Sequence, residues 1–293
     1  MEIKELEIFQ MVANHHSISK AAEQLHYVQS NVTNRINKLE LELKTSLFHR
    51  NNRGVSLTST GEILLSFADN ILKLIKEAKE AVRNPDILSG PLAIGATDIT
   101  AAVRLPSVLA NYHRLYPEVN LSLATGSTEE LVSEVLKYNL DGSFVTNPVE
   151  HPDIIQYPLI EEELVLITDL SQPTLKSIKD LKTQTILVFR SGCTYRAKLE
   201  CWLREEGILP EKKISFGTIE GILGCVKAGL GVALVSKKVG EQLENEGIVK
   251  CYPVPDKYKF VTTVFIRRHD VPVSNVLKKF LETTKNCFYE DIN

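Results

Sequence analysis

Six apolar residues, Leu64, Ala68, Ile71, Ile75, Ala78 and Val82, recur at intervals of four, three, four, three and four. That is the period of a helix with a single apolar seam. Ser59 and Glu62 stand in capping-box relation before the run and Pro85 lies beyond it. At 1.5 Å per residue a helix over residues 59–83 spans roughly 37 Å. Ile63, Phe67 and Leu74 widen the seam, and an apolar face of that length needs a partner. No second helix of the same heptad-like rhythm follows, so the pattern favours self-association over burial against the same chain.

The seam divides two regions of different rhythm. Before it the period is helical. Ile3, Leu6, Phe9 and Ala13 mark one helix, and Ile18, Ala21, Ala22 and Leu25 a second with Ser17 placed to cap it. Val28, Val32, Ile36, Leu39 and Leu43 mark a third. Asn51-Asn52-Arg53-Gly54 then supplies turn chemistry between Leu47-Phe48 and Val55-Ser56-Leu57, which predicts a hairpin-like wing. After Gly90 strands and helices alternate. Strands are expected at residues 92–95, 120–123, 143–145, 164–167, 185–189 and 232–235. Helices are expected at 101–115, 128–138, 194–205 and 222–228. The alternation implies parallel sheets covered on both faces. The breaker-rich stretch Asn147-Pro148-Val149-Glu150-His151-Pro152-Asp153, with Tyr157-Pro158 after it, is the expected crossing between lobes.

Composition narrows the function classes. With 293 residues, 43% of them hydrophobic, the chain has material for two or three cores. The net charge of −3 means that nucleic acid would have to meet a local basic patch. Five cysteines without paired metal-type spacing imply a reducing, cytoplasmic setting and no structural metal. The acidic N-terminus is unlike a secretory leader, and no uncharged apolar run approaches the ~18 residues that cross a bilayer.

The third helix carries the sharpest chemistry. On a helical wheel Ser30, Asn34, Asn37 and Lys38 point away from its apolar arc, with Gln29, Asn31, Thr33 and Arg35 beside them. Short amides and hydroxyls are poor helix formers but match base edges in a major groove. Residues 35–53 hold five cations, Arg35, Lys38, Lys44, Arg50 and Arg53, against Glu40 and Glu42. Arg50 and Arg53 bracket the wing, where phosphates would lie.

Ala21-Ala22-Glu23-Gln24-Leu25, Gln29-Ser30-Asn31-Val32-Thr33, Ile36, Leu39-Glu40, Leu47-Phe48-His49-Arg50, Arg53-Gly54-Val55, Leu57-Thr58 and Gly61 resemble the winged helix-turn-helix of LysR-type transcriptional regulators. The match is dense over residues 1–65; through the body it is one of length, alternation and the segment 228–235. The resemblance implies a homodimer, or a dimer of dimers, on double-stranded DNA bearing an interrupted inverted repeat. It also implies a two-lobed α/β body, folded like a periplasmic binding protein, that holds a small effector, with RNA polymerase left open as a further partner. The expected domains are 1–58 for DNA binding, 59–88 for the dimerising linker and 89–293 for the effector. Lobe I would comprise about 89–161 plus 267–293, where a last helix over 273–290 packs back, and lobe II about 162–266. Two departures stand out: Lys44 where the family often has glycine, and Asn34 where it often has arginine. Asn34 would favour adenine over guanine.

In such a body the ligand lies beyond the carboxyl ends of the strands. The candidates are Thr97, Asp98 and Thr100; Gly126, Ser127 and Thr128; Cys193, Thr194 and Arg196; and Thr218 and Glu220. Hydroxyls and free amides at helix starts suit a small anionic or zwitterionic metabolite, although Asp98 and Glu220 would repel an anion unless they face away. Cys193, at a helix start near Arg196, supports a second reading. There a thiol of lowered pKa would sense oxidants, with Cys225 or Cys201 as its resolving partner. The chain does not read as an enzyme and needs no cofactor. Gly229-Leu230-Gly231 lacks the third small residue of a dinucleotide fingerprint, and phosphate-loop, Gly-x-Ser-x-Gly and His-Glu-x-x-His patterns are missing.

Overall fold

The computed structural model describes residues 1–51, 54–83, 88–172, 174–175 and 177–290. Two of the expectations above, on Arg53 and Pro85, fall outside them. The chain forms two compact units, Met1–Gly90 with Lys137–Asn139, and Pro91–Leu136 with Leu140–Asn293.

The first unit, the head, opens with α1 (Ile3–His15), α2 (Ile18–Gln24) and α3 (Gln29–Leu43). Leu6, Ile8, Phe9, Val12, Ala21, Ala22, Val32, Ile36 and Leu39 interlock as its core, and Ser17 caps α2 by accepting from the Lys20 amide. Two residues of the expected apolar stripe are not in that core. Val28 is the N-cap of α3 and 69% exposed, and Leu43 is also exposed. Lys44 ends α3 with φ +53, the left-handed conformation that glycine adopts without strain. The wing follows as β1 (Phe48–Asn51) and β2 (Gly54–Leu57), paired antiparallel.

α4 (Ser59–Arg83) is the seam helix. Its cap is Thr58, whose hydroxyl accepts from the Gly61 amide, one residue ahead of the expected Ser59. The seam divides along its length. Ala68 is fully buried and Leu64 and Ile71 join the head's own core, so part of the seam packs on its own chain, where the pattern favoured self-association. Among the described residues of this helix, the large apolar side chains left exposed are Ile63, Phe67, Leu74 and Val82.

The body continues with β3 (Gly90–Thr97), α5 (Asp98–Val103), α6 (Leu105–Leu115), β4 (Val119–Gly126), α7 (Thr128–Leu136), β5 (Gly142–Thr146) and β6 (Ile154–Asp169). After a 3-10 turn come β7 (Thr185–Phe189), α8 (Thr194–Glu205), β8 (Lys212–Phe216), α9 (Ile219–Lys227), β9 (Val232–Ser236) and α10 (Lys237–Asn245). β10 (Val249–Pro253), α11 (Asp256–Lys259), β11 (Phe260–Arg268) and α12 (Asn275–Glu290) complete it. The strand order is β4-β3-β5-β11-β6-β9-β7-β8, with β10 also on β6.

Three expectations are corrected. The single helix over 101–115 is two, broken at Arg104. The sheet is mixed: β3/β5, β7/β8 and β7/β9 are parallel, whereas β6 and β11 pair antiparallel with every registered neighbour. The crossing is β6 itself rather than the 147–153 loop. Its residues 154–163 pair with β11, and 164–169 turn to β9 and β10. The strand passes through Pro158, which cannot donate to the ladder, by a register shift that leaves Leu159 without an opposite residue. Lobe I is thus the β4-β3-β5-β11 side and lobe II the β9-β7-β8 side, joined by β6. β11 pairs with β5 and, from Phe260 onward, with residues 154–163 of β6. Across lobe I, α12 packs on α6 through Phe280 and Tyr112, whose hydroxyl donates to the Val276 carbonyl at 2.9 Å.

Candidate DNA-reading face and effector cleft

On α3 the residues Gln29, Ser30, Asn31, Asn34, Asn37 and Lys38 are all exposed, and Thr33 and Arg35 half-buried. Val32, Ile36 and Leu39 anchor the opposite side, so the helix presents one polar face. Much of that face is already engaged. The Thr33 hydroxyl donates to the Gln29 carbonyl at 3.0 Å, and Arg35 Nε donates to Asn31 Oδ1 at 3.2 Å. Arg50 of the wing donates to Asn37 Oδ1 at 2.6 Å and to Glu40 Oε2 at 3.0 Å. Glu40 Oε1 accepts the Leu47 and Phe48 amides, so one carboxylate ties wing, helix and Arg50 together. Ser30, Asn31, Asn34, Arg35 and Lys38 line one open concavity, together with Glu2 and Val28. Glu2 was not legible as a face residue, because it precedes α1 and lies far from α3 in sequence.

In the body the chain turns at the ends of β3, β4 and β7 bring Thr97-Asp98, Gly126-Ser127-Thr128 and Arg190–Thr194 together around a cavity of about 30 Å³. That is far below the ~300 Å³ of a small-molecule site. Arg190 Nη2 donates to Asp98 Oδ2 at 2.7 Å, joining lobe II to lobe I across it. Glu130 stands beside them. Its Oε2 accepts the Ser127 amide at 2.7 Å, and this bond, with a smaller contribution from Arg190, holds its carboxyl below the usual range. Gly192 has φ +88, and a Cβ there would lie 3.0 Å from the Ser127 Cβ, so glycine lets the lobe II turn rest on lobe I. Behind the cleft Arg104 fixes the far end of α5 through two donations to Glu162 Oε1 on β6, at 3.0 and 2.5 Å. Both groups are buried.

Seven expected effector residues line the cavity: Thr97, Asp98, Gly126, Ser127, Thr128, Cys193 and Thr194. Four do not. Thr100 is buried, its hydroxyl 2.9 Å from that of Thr97. Arg196 turns to Glu200 and the Phe189 carbonyl. Thr218 caps α9 by accepting the Gly221 amide, and Glu220 is exposed on that helix away from the cavity. Sequence reasoning missed Thr146, Phe189 and above all Arg190. Arg190 directly follows β7 just as Asp98 follows β3, and that equivalence was the available signal.

The description "Bacterial regulatory helix-turn-helix protein, lysR family" matches residues 3–62, and "LysR substrate binding domain" matches residues 86–287. The chain belongs to the LysR family of transcriptional regulators. It is similar to the HTH-type transcriptional regulator GltR of Bacillus subtilis (strain 168), with 48% identity over 98% of this chain and 97% of that one. It is also 50% identical to the HTH-type transcriptional regulator SoxR of Arthrobacter sp. (strain TE1826), over 98% of each. Among solved structures, full-length CbnR in complex with its target DNA shares the fold, with TM-score 0.66, 22% identity and coverage of 98% of this chain and 100% of that one. As a LysR-type regulator the chain joins a DNA-binding head to a ligand-binding body.

Cys193, the thiol of the second reading, sits where its surroundings in this LysR-type body disfavour the thiolate. Burial pushes the Cys193 thiol up, and the Arg196 and Tyr195 amides offset that only in part. The side chain packs against the lobe II core. Gly229-Leu230-Gly231 is the turn between α9 and β9, where a Cβ on Gly231 would lie 2.0 Å from the Thr185 carbonyl oxygen. Its glycines serve that close passage. Among the described residues no helix is long and apolar enough to cross a membrane.

Proposed function

We propose that residues 1–58 read an interrupted inverted repeat, with Gln29, Ser30, Asn31 and Asn34 facing base edges and Arg35, Lys38 and Arg50 facing phosphates. On this reading residues 59–88 dimerise the regulator through the Ile63, Leu74 and Val82 stripe of α4. The protein acts in the cytoplasm as a regulator rather than an enzyme, in keeping with relatives that are named transcriptional regulators.

The effector we assign to the cleft is a small zwitterion carrying a carboxylate and an ammonium, as in an α-amino acid. The Asp98–Arg190 pair carries this reading. An anion that took Arg190 would strand Asp98 beside itself with Glu130 nearby, leaving two carboxylates against one cation. A zwitterion replaces both halves of the pair, carboxylate to Arg190 and ammonium to Asp98. Opening the lobes around it then changes how the body holds the heads. The test is calorimetric titration of the full chain with α-amino acids and with the same acids lacking the amino group. Amino acids should bind more tightly, and Asp98→Asn should cost about tenfold or more. Equal binding of the amino-free acids, with no effect of Asp98→Asn, overturns the assignment.

A further inference from the structure

The concavity on α3 contains a carboxylate that DNA recognition does not call for. Glu2, at the N-cap of α1, is 63% exposed and sits in the same hollow as Ser30, Asn31 and Asn34. Its Oε1 lies 3.4 Å from Lys38 Nζ and its Oε2 4.0 Å from Arg35 Nη1. A negative group at that place repels a phosphate backbone and holds back the cations that would meet it. The local fold does not require the charge. The turn is secured by the Glu2 amide donating to Glu5 Oε2 at 2.7 Å, and by the Glu2 backbone carbonyl accepting the Glu5 amide at 3.0 Å, neither of which involves the Glu2 carboxylate. Nor is the charge needed to hold Lys38, since the buried Glu5 already binds it at 2.7 Å.

We propose that Glu2 is a specificity-determining residue of the DNA interface. Its carboxylate keeps Arg35 from the phosphates of any passing duplex, and that penalty is relieved only where a base amino group, such as cytosine N4, faces the hollow. The charge weakens all DNA binding and weakens non-specific binding most. The inference rests on α3 being the reading helix, and the experiment separates the two.

Duplexes are selected from a random pool by the wild-type protein. Their binding, and that of a scrambled duplex, is then measured by fluorescence anisotropy across a salt series for wild type, Glu2→Gln and Glu7→Gln. Glu7 is an exposed carboxylate on the same helix paired with Lys4, so its substitution removes one charge away from the hollow. For Glu2→Gln the scrambled duplex should bind about fivefold more tightly. Its log–log salt slope should steepen by about one, the value of one released cation–phosphate contact. The selected-to-scrambled ratio should fall by a similar factor, and Glu7→Gln should match wild type. Wild-type selection of no sequence at all defeats the reading of α3, and the proposal with it. Selective wild-type binding that Glu2→Gln leaves unchanged, or that Glu7→Gln shifts equally, overturns the proposal alone. Circular dichroism of the two variants shows whether both heads are folded.

Discussion

Head and body place their ion pairs differently. In the head, Arg35 faces Glu2, Lys38 faces Glu5 and Arg50 faces Glu40, and every partner belongs to one compact unit. Such pairs do not change when the unit moves as a body, so they set how the face meets a charged partner. In the body, Asp98 and Arg190 sit on opposite lobes, so their pair reports and resists a change of shape. A charge pair within a rigid unit adjusts affinity; a charge pair across a hinge adjusts conformation.

The largest effect separates the two regions by stability. Phe9 is fully buried in the head core and packs on Phe48 at 5.3 Å between ring centroids. Phe9→Ala should cost the head about 3–5 kcal/mol and abolish sequence-selective DNA binding. The single tryptophan, Trp202, lies in the lobe II core, so its fluorescence midpoint in urea should stay at the wild-type value. A joint shift of both readouts would break the separation of head from body.

A smaller effect sharpens the head's side of the contrast. Lys38 and the Glu2 amide hold the buried Glu5 carboxyl below its ordinary value of 4.5. A depressed carboxylate stabilises the fold above the unfolded value and loses that contribution as pH falls through the folded one. Glu5→Gln should therefore cost about 1–2 kcal/mol near neutrality, measured by thermal unfolding of the head, and the difference from wild type should shrink below pH ~4. A penalty independent of pH would mean that packing rather than charge holds Glu5 in place.

The smallest effect concerns the cleft. Cys193→Ser should leave DNA binding unchanged and leave its response to peroxide the same as wild type, because burial disfavours the thiolate. A peroxide response that the substitution removes would restore the thiol-sensing reading.

How much was legible follows the range of the contacts. α8 and β7 begin and end at their expected residues, because each carries its own side-chain pattern over consecutive residues. β8, β10 and β11 were not anticipated. β8 is an edge strand with a mostly exposed Lys-Lys-Ile-Ser-Phe sequence. β11 becomes a strand by lying between β5 and β6, more than ninety residues away in sequence. The site divides in the same way. Helix-start residues in the cleft stood out by their type, while Arg190 and Glu2 matter only through what lies opposite them.

The helical head, the polar face of α3, the long seam helix and the alternation of the body are all written in the order of the residues. Those features arise from side-chain periods and caps that act over a few residues. Tertiary structure alone decided that half the seam is covered by the head's own core, and that the body's sheet is mixed. It also decided that the cleft is closed by an arginine and an aspartate from different lobes, because such contacts depend on which distant surfaces folding brings within hydrogen-bond reach.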